Sequence, residues 1–388
     1  MLLPDELELL IALQDNPLGT YKELAKALEV TPPTAKARLQ KISEKLDPKS
    51  DPNIPTIVVQ ADLDLQALGL EVINVLVRTT SLKHIMLLEK AFYQHPHTAY
   101  HVRCMGKNQG LFLQFRLPTG TFPKAQEFFS RIQQEMPDLV EGIHFLPASE
   151  LSVYTKFNLE IWDEKEKTWD FNWKEWISKI DMMPSEFDVS SDSDLILDYL
   201  TSLDLQILQE LTWNARRRNI DLIEVLSTEY RQNDNSDKSR IEPYQMTRRL
   251  QYLNENAILG YRVEPNWKVF NIFDTLLFVC RTTKDLAYKW ANLLKIYPVP
   301  FKSTFQITKE GFFWYIACSS AQFSEISELI WEHAPDFDFY LLDYRSSAIY
   351  PIWWEIFDEK SKTWRTDDEF MINRPLDEWK KKELHNHK

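Results

Sequence analysis

The sequence predicts an α+β chain made of two tandem copies of one module, each a helix-turn-helix unit followed by a ferredoxin-like βαββαβ domain. Three observations carry this. The eleven-residue string LEIWDEKEKTW, Leu159 to Trp169, returns 195 residues later as WEIFDEKSKTW, Trp354 to Trp364, with eight identities. ELELLIALQDNPLGTYKELAKAL (6–28) lies without a gap on DLQILQELTWNARRRNIDLIEVL (204–226), superposing Leu7/Leu205, Leu10/Leu208 and Leu13/Leu211. TPPTAKARLQKI (31–42) lies on EPYQMTRRLQYL (242–253), sharing the proline and the Arg-Leu-Gln triplet, and Arg78-Thr79-Thr80 lies on Arg281-Thr282-Thr283. A period of about 190 residues marks duplicated domains, whereas a solenoid repeats every 20 to 50.

The elements follow in order. Pro4 to Asp15 places Leu7, Leu10 and Ile11 at helical spacing. Thr20 followed three residues later by Glu23 is a capping box that opens a second helix. Thr31 then Pro32 opens a third, as an N-cap followed by a proline whose missing donor costs nothing at the first turn. On that helix Ala35, Leu39 and Ile42 face inward and Thr34, Lys36, Ala37, Arg38 and Lys41 outward. After Pro55 the texture turns to β: strands over 56–62 and 72–80, a helix over 82–94, strands over 101–104 and 111–117, a helix over 123–135 and a strand from Gly142. That is the split βαβ order. The second copy repeats it from Phe273 to Asp343. The charged DEKxK runs between apolar residues read as hairpin tips that close or pair the two sheets.

Composition sets the outer bounds. With 44% hydrophobic residues, 13 Trp, 15 Tyr and 22 Phe, the 388-residue chain can fill several cores. No run approaches the roughly 18 apolar residues of a membrane helix, and MLLPDELELL lacks the basic start of a signal peptide, so no membrane partner and a cytoplasmic location are expected. Cys104, Cys280 and Cys318 have no paired spacing and are expected to be buried thiols. The net charge of −13 is unevenly spread: 181–204 holds seven acids and no base, whereas 31–45 holds four bases against one acid. Cations gather at matching places in both copies. A cationic helix face is the footprint of duplex DNA, and Arg216-Arg217-Arg218 adds a run that would face phosphate or solvent.

LAKALEVTPPTAKARLQKI, ADLDLQALGLEVINVLVRTT and HVRCMGKNQGLFLQFRLP together resemble the Lrp/AsnC family of prokaryotic transcription regulators, and NENAILGYRVEP resembles that family's wing. The resemblance covers nearly the whole chain, excluding the acidic linker and the Lys-rich tail. It implies two winged helix-turn-helix units, each with a ferredoxin-like sensor domain, arranged as a pseudo-dimer whose sheets pack back to back. The expected organisation is a first winged unit at 1–54, a sensor domain at 55–157, a hairpin and helix extension at 158–180, and an acidic linker at 181–202. A second winged unit with an insertion at 203–267, a second sensor domain at 268–348, and a hairpin with a Lys-rich tail at 349–388 complete it.

Function follows by the same resemblance: sequence-specific binding of double-stranded DNA, responsive to a small-molecule effector, with no cofactor. Amino acids are the family's usual effectors. Where the family has an aspartate shortly after a glycine, this chain has Gly106-Lys-Asn-Gln109 and Thr308-Lys-Glu-Gly311. The residues expected on DNA are Thr31, Pro33, Thr34, Lys36, Arg38 and Lys41, with Tyr244, Gln245, Thr247, Arg248 and Arg249 as counterparts. About 13 extra residues within 227–241 are expected to stretch the turn before the second copy's third helix.

Other chemistry finds less support in the sequence. There is no GxSxG, Walker loop or HExxH, so a non-enzymatic role is expected. His95, His97 and His101 have metal-like spacing but no carboxylate or cysteine to complete a set, and Tyr297-Pro298-Val299 stands at the matching place in the second copy. Siroheme decarboxylases share the resembled architecture; on that alternative His101 and Arg103 would handle the tetrapyrrole. A third class is an interaction scaffold, for which Trp162, Trp169, Trp173, Trp176, Trp353 and Trp354 would supply a surface, although packing between sheets is the expectation.

Overall fold

The computed structural model describes residues 3–44, 57–147, 152–187, 193–233 and 241–386. The first copy runs α1 (Pro4–Asp15), α2 (Tyr21–Ala27), α3 (Pro32–Glu44), β1 (Ile57–Leu63), β2 (Leu70–Arg78), α4 (Leu82–Gln94), β3 (Thr98–Gly106), β4 (Gly110–Pro118), α5 (Phe122–Glu135) and β5 (Gly142–Pro147). It ends in β6 (Ser152–Thr155), the hairpin β7 (Trp162–Asp163) and β8 (Thr168–Trp169), and α6 (Trp173–Ile177). The second copy runs α7 (Ser202–Asn214), α8 (Asn219–Asn233), α9 (Pro243–Asn256), β9 (Ile258–Pro265), β10 (Asp274–Arg281), α10 (Lys284–Ile296), β11 (Lys302–Thr308), β12 (Gly311–Cys318), α11 (Phe323–His333) and β13 (Phe337–Ile349). The hairpin β14 (Phe357–Asp358) and β15 (Thr363–Trp364), a π-helical turn (Glu369–Asn373) and α12 (Arg374–Asn386) close it. Two compact units result, one of Met1–Gly69, Asp192–Val269 and Pro351–Trp364, the other of Leu70–Ser191, Phe270–Tyr350 and Arg365–Lys388. Each unit draws the same part from both copies.

The first unit holds both helix-turn-helix motifs. Leu9, Leu10 and Leu13 of α1, Leu24 and Ala25 of α2, and Ala35, Leu39 and Ile42 of α3 form its buried face; the α3 residues are those its periodicity predicts, whereas on α1 Leu7 and Ile11 are half-buried beside the buried Leu9, Leu10 and Leu13. The Thr20 hydroxyl accepts from the Glu23 amide at 3.3 Å while the Glu23 carboxylate accepts from the Thr20 amide at 2.7 Å, the predicted capping box. The wing of each motif is a single strand, and the two strands pair with each other: β1 lies antiparallel to β9 with Val59 opposite Val263. The extra residues of the second copy first lengthen α8, to 15 residues against seven in α2, where a stretched turn is expected from sequence; the rest of the insertion, 234–240, lies outside the described residues.

The second unit is built on one antiparallel sheet of nine strands, in the order β5-β2-β4-β3-β13-β10-β12-β11-β6. β3 of the first ferredoxin-like domain joins β13 of the second, and β6, trailing the first domain, joins β11 of the second. On one face, Ile73, Val75, Leu113 and Phe115 pack against Leu88 and Phe92 of α4 and Phe128 and Phe129 of α5; Met371, Ile372, Leu376 and Trp379 from the other copy's tail complete that core. The exchange is reciprocal, since Trp173 of α6 stacks on Phe301 of the second domain and Trp176 packs edge-on against Trp290. On the opposite face Leu76, Val102 and Phe112 meet Leu277, Val279 and Phe313, and the Asn74 amide donates to Gln306 at 2.6 Å. The back-to-back packing expected of a pseudo-dimer is therefore internal to one chain.

The repeated hairpins differ from expectation. Each forms its own two-stranded sheet instead of joining the large one. Asp163 accepts from the amides of Lys165 and Glu166, and Asp358 from those of Lys360 and Ser361, so the aspartate of each DEKxK string folds the tip as an Asx-turn. Lys167 and Lys362 then take φ near 57° in the left-handed region. The terminal tryptophans do the anchoring: the Trp169 indole donates to the Phe270 carbonyl at 3.1 Å and the Trp364 indole to the Leu68 carbonyl at 2.7 Å, each a link in the other copy.

Candidate functional site

The third helices carry the residues expected on DNA. Thr31, Pro33, Thr34 and Lys36 are exposed on α3, and Tyr244, Gln245, Thr247 and Arg248 on α9. The remaining cations turn to acids of the first helix in each motif. Arg38 lies 3.6 Å from Asp5, and Lys41 lies 3.4 Å from the buried Glu6. Arg249 holds Asp204, which is fully buried, by two bonds from the Nε–Nη2 edge of its guanidinium, with Nε to Oδ1 at 2.5 Å. Glu6 and Asp204 are equivalent residues, and each also accepts from its own N-cap amide, Leu3 and Thr201 respectively. One acid thus caps a helix and clamps a cation of the third helix. Arg216 donates to the carbonyls of Pro17 and Gly19 at 2.7 and 2.8 Å, so the first residue of the basic run is spent on structure and not turned to phosphate or solvent.

A denser polar group sits on the helix-covered face of the large sheet, where β3 meets β13. His101 and Arg103 alternate on that face of β3, with Ala348 and Asp343 across from them and a break in register between those two. The Arg103 guanidinium donates to Glu89 of α4 from Nε at 2.7 Å and from Nη2 at 2.8 Å, and its side chain keeps 31% of its surface in solvent. Those two bonds push the guanidinium further into its charged form. His101 is buried, and burial pulls its imidazole below the ordinary value, so the ring is neutral near pH 7. Its Nδ1 lies 3.2 Å from the Tyr350 hydroxyl, and the exposed Tyr93 ring packs edge-on against Tyr350. Burial pushes that phenol up to about 12, so it stays protonated.

The other seam lacks every one of these groups. Aligning β4 on β12 by the leading Gly110 and Gly311 puts Phe305 where the first copy has His101, and Ile307 where it has Arg103. The independent offset of 195 residues puts Val153 opposite Phe305 as Ala348 is opposite His101, and Thr155 in the place of Tyr350. Aligning the helix caps Ser81 and Thr283 puts Ala291 in the place of Glu89.

His95 and His97 do not converge with His101 on a metal, and no group of three metal-ligating side chains occurs among the described residues. Both rings are buried. His95 Nε2 donates to the Met371 carbonyl at 3.0 Å while its Nδ1 accepts from the His97 amide, and His97 Nδ1 donates to the Arg116 carbonyl at 2.9 Å. Desolvation drives His95 well below its ordinary value and lowers His97 to about 4. The three cysteines are buried, and desolvation raises Cys104 to about 12 and the others further, which makes them inert thiols. A cavity of about 270 Å³ opens beside the β3–β4 turn between Arg78, Lys107, Arg281, Asp338 and Tyr340; its lining includes neither His101 nor Arg103.

No protein-family model matches the chain, and no curated protein sequence does. Solved structures do. The crystal structure of the siroheme decarboxylase NirDL superposes with a TM-score of 0.52 at 11% identity, covering 92% of this chain and 96% of that one. The same enzyme in co-complex with an iron-uroporphyrin III analogue superposes with a TM-score of 0.52 at 10% identity, covering 97% and 98%. This chain shares the NirDL fold. An AsnC family transcriptional regulator from Agrobacterium tumefaciens aligns over 41% of this chain and 98% of its own, at 17% identity and a TM-score of 0.29. The expectation of a non-enzymatic chain is corrected by the NirDL match, because the near-full-length likeness is to an enzyme. No local string spells this polar group, since His101 and Tyr350 are 249 residues apart. The signal that finds Glu89 and Tyr350 is divergence between the copies at aligned positions.

No helix among the described residues is long and apolar enough to cross a membrane.

Proposed function

We propose that the chain is an enzyme of the siroheme-decarboxylase type, acting on a tetrapyrrole that bears carboxylate side chains, with its site at the β3–β13 seam. The observation that carries the reading is the set His101, Arg103, Glu89 and Tyr350 on one seam and its replacement by Phe305, Ile307, Ala291 and Thr155 on the other. Near-full-length likeness to NirDL supports it at the level of the fold. Loss of carbon dioxide from a side-chain carboxylate breaks one C–C bond and leaves its electron pair on carbon, which must then take a proton. Arg103 is suited to hold a carboxylate by its fork. His101, neutral and buried, is suited to pass the proton. Titrating the purified chain with siroheme tests this: a saturable absorbance change with release of carbon dioxide is expected, and a flat titration at micromolar protein ends the reading.

Duplex DNA binding is the second reading, favoured by the exposed Thr31, Pro33, Thr34 and Lys36 at the start of α3 and Tyr244, Gln245, Thr247 and Arg248 on α9. The ion pairs of Arg38, Lys41 and Arg249 weigh against it. Selection of genomic fragments by the purified chain tests it, and no enrichment removes it.

A further inference from the structure

On the β3–β13 seam Arg103 keeps part of its surface in solvent and His101 is buried, and each is held by a side chain from another element, Glu89 for Arg103 and Tyr350 for His101. Arg103 gives Glu89 its Nε–H and one Nη2 hydrogen, at 2.7 and 2.8 Å. A guanidinium has five donors in a planar fork, so this leaves the edge between Nη1 and Nη2 open for a second two-point contact. The backbone of Arg103 is fixed as well, its amide donating to Ser346 Oγ at 3.0 Å and Ser346 Oγ to the Asp343 carbonyl at 2.8 Å, within the register break of β13. Tyr350 is held from three sides: its amide donates to the Ala99 carbonyl at 2.9 Å, its carbonyl accepts from Arg116 Nη1 at 2.8 Å, and Tyr93 packs on its ring. The Tyr350 hydroxyl stands 3.2 Å from His101 Nδ1, a contact in which either atom can donate; with the phenol as donor, the neutral imidazole accepts at Nδ1 and carries its proton on Nε2.

We infer that Glu89 and Tyr350 are the positioning residues of this site: Glu89 aims the open edge of Arg103 at a substrate carboxylate, and Tyr350 keeps the His101 proton on Nε2. The inference rests on the tetrapyrrole reading for its substrate but not for its geometry. The β11–β6 seam supplies the contrast. Where Arg103 and His101 become Ile307 and Phe305, the two supports become Ala291 and Thr155, and the Thr155 hydroxyl turns instead to Ser303 Oγ at 2.7 Å and the Phe301 carbonyl at 2.6 Å. Supports and supported groups are present together or absent together, which is the pattern of residues that act through one another.

The test uses the full chain with Tyr350→Phe, Glu89→Gln and Glu89→Asp, and has one arm without substrate. Nitrogen NMR of the His101 ring, assigned with His101→Phe, is expected to report the Nε2–H tautomer in the parent and a mixture in Tyr350→Phe. The Arg103 Nε–H resonance is expected to exchange slowly in the parent, to be lost in Glu89→Gln and to return in Glu89→Asp. With siroheme, Glu89→Gln is expected to raise KM roughly 10-fold with kcat little changed, and Tyr350→Phe to lower kcat roughly 10- to 100-fold with KM little changed, the range for removing a partner behind a functional group. Unchanged ring and guanidinium signals in the variants overturn the positioning roles, as does a uniform loss of activity without the KM and kcat split. A parent chain that leaves siroheme untouched overturns the substrate reading alone, because the NMR arm still decides the positioning.

Discussion

The two seams of the large sheet are made from equivalent strands and have opposite interiors. The β11 seam is filled: Phe305 packs on Phe312 at 4.6 Å, Trp173 stacks on Phe301, and Trp176 lies over Trp314. The β3 seam keeps an imidazole, a guanidinium, a carboxylate and a phenol, paired with one another. Apolar packing of that kind stabilises by burial, whereas paired polar groups at a partly exposed seam contribute little net stability. A duplicated frame lets its two seams diverge, one filled with apolar rings and the other, on the function proposed above, left for chemistry.

The sharpest way to break it is to damage each seam in turn. Trp314→Ala removes a fully buried ring from the filled seam and is expected to cost about 3–5 kcal/mol, read from the urea midpoint. The double change His101→Phe with Tyr350→Thr, which writes the residues of the β11–β6 seam into the β3–β13 seam, is expected to leave stability within about 1 kcal/mol and to abolish turnover of siroheme. A large stability loss from the double change, or retained turnover, removes the division of labour between the seams.

The same asymmetry explains what the sequence could and could not reveal. The duplication, the three helices of each motif and the split βαβ order follow from periodicity and caps, and Leu10, Leu39, Val75 and Phe115 are buried as their spacing requires. The pairing of β1 with β9 and of β3 with β13 is not legible, because long-range partners leave no local pattern. Nor is the pairing of Arg38 and Lys41 with acids on α1: outward-pointing cations on one helix look the same whether they face a groove or a neighbouring carboxylate. His101 and Arg103 stand out only through a family resemblance, and Glu89 and Tyr350 only once the sheet register is known.

The two helix-turn-helix motifs extend the comparison with a smaller expected spread. Arg249→Ala leaves Asp204 charged, buried and without its partner, which is expected to cost about 3–5 kcal/mol. Arg38→Ala faces Asp5, whose side chain is 40% exposed, and is expected to cost no more than about 1 kcal/mol. Equal losses in chemical denaturation would mean that the motifs are braced alike.

A third contrast is set by pH. His95 and His97 are caps and carbonyl ligands in the first copy, whereas the equivalent places after α10 hold Tyr297 and Val299 and no histidine. Burial lowers both histidines in the folded chain, His97 from 6.5 to about 4. Between those values the unfolded chain binds more protons than the folded one. The stabilisation is therefore complete above about pH 6.5 and is lost as pH falls toward 4, amounting to roughly 3 kcal/mol for His97. The urea midpoint is expected to be level from pH 7 to 8 and to drop below pH 6.5, and His97→Asn is expected to flatten the drop. Loss should appear first around the Met371 turn, whose carbonyl accepts from His95, and not around Trp176 and Trp290. A drop of equal size in the variant would place the sensitivity elsewhere.

The smallest effect concerns the exposed faces of α3 and α9. Lys36 and Arg248 are exposed cations on those helices, and neither faces the acids that hold Arg38, Lys41 and Arg249. If duplex DNA is a ligand of the first unit, each can neutralise about one phosphate, so Lys36→Ala or Arg248→Ala should reduce the slope of log affinity against log salt by about 1. The two variants need not act alike, since α8 precedes α9 with an insertion that α2 lacks. A reduced slope for Lys36→Ala with none for Arg248→Ala would give the first copy both the seam chemistry and the nucleic-acid contact. Salt slopes unchanged in both variants would leave the exposed cations as solvated charge on an acidic chain.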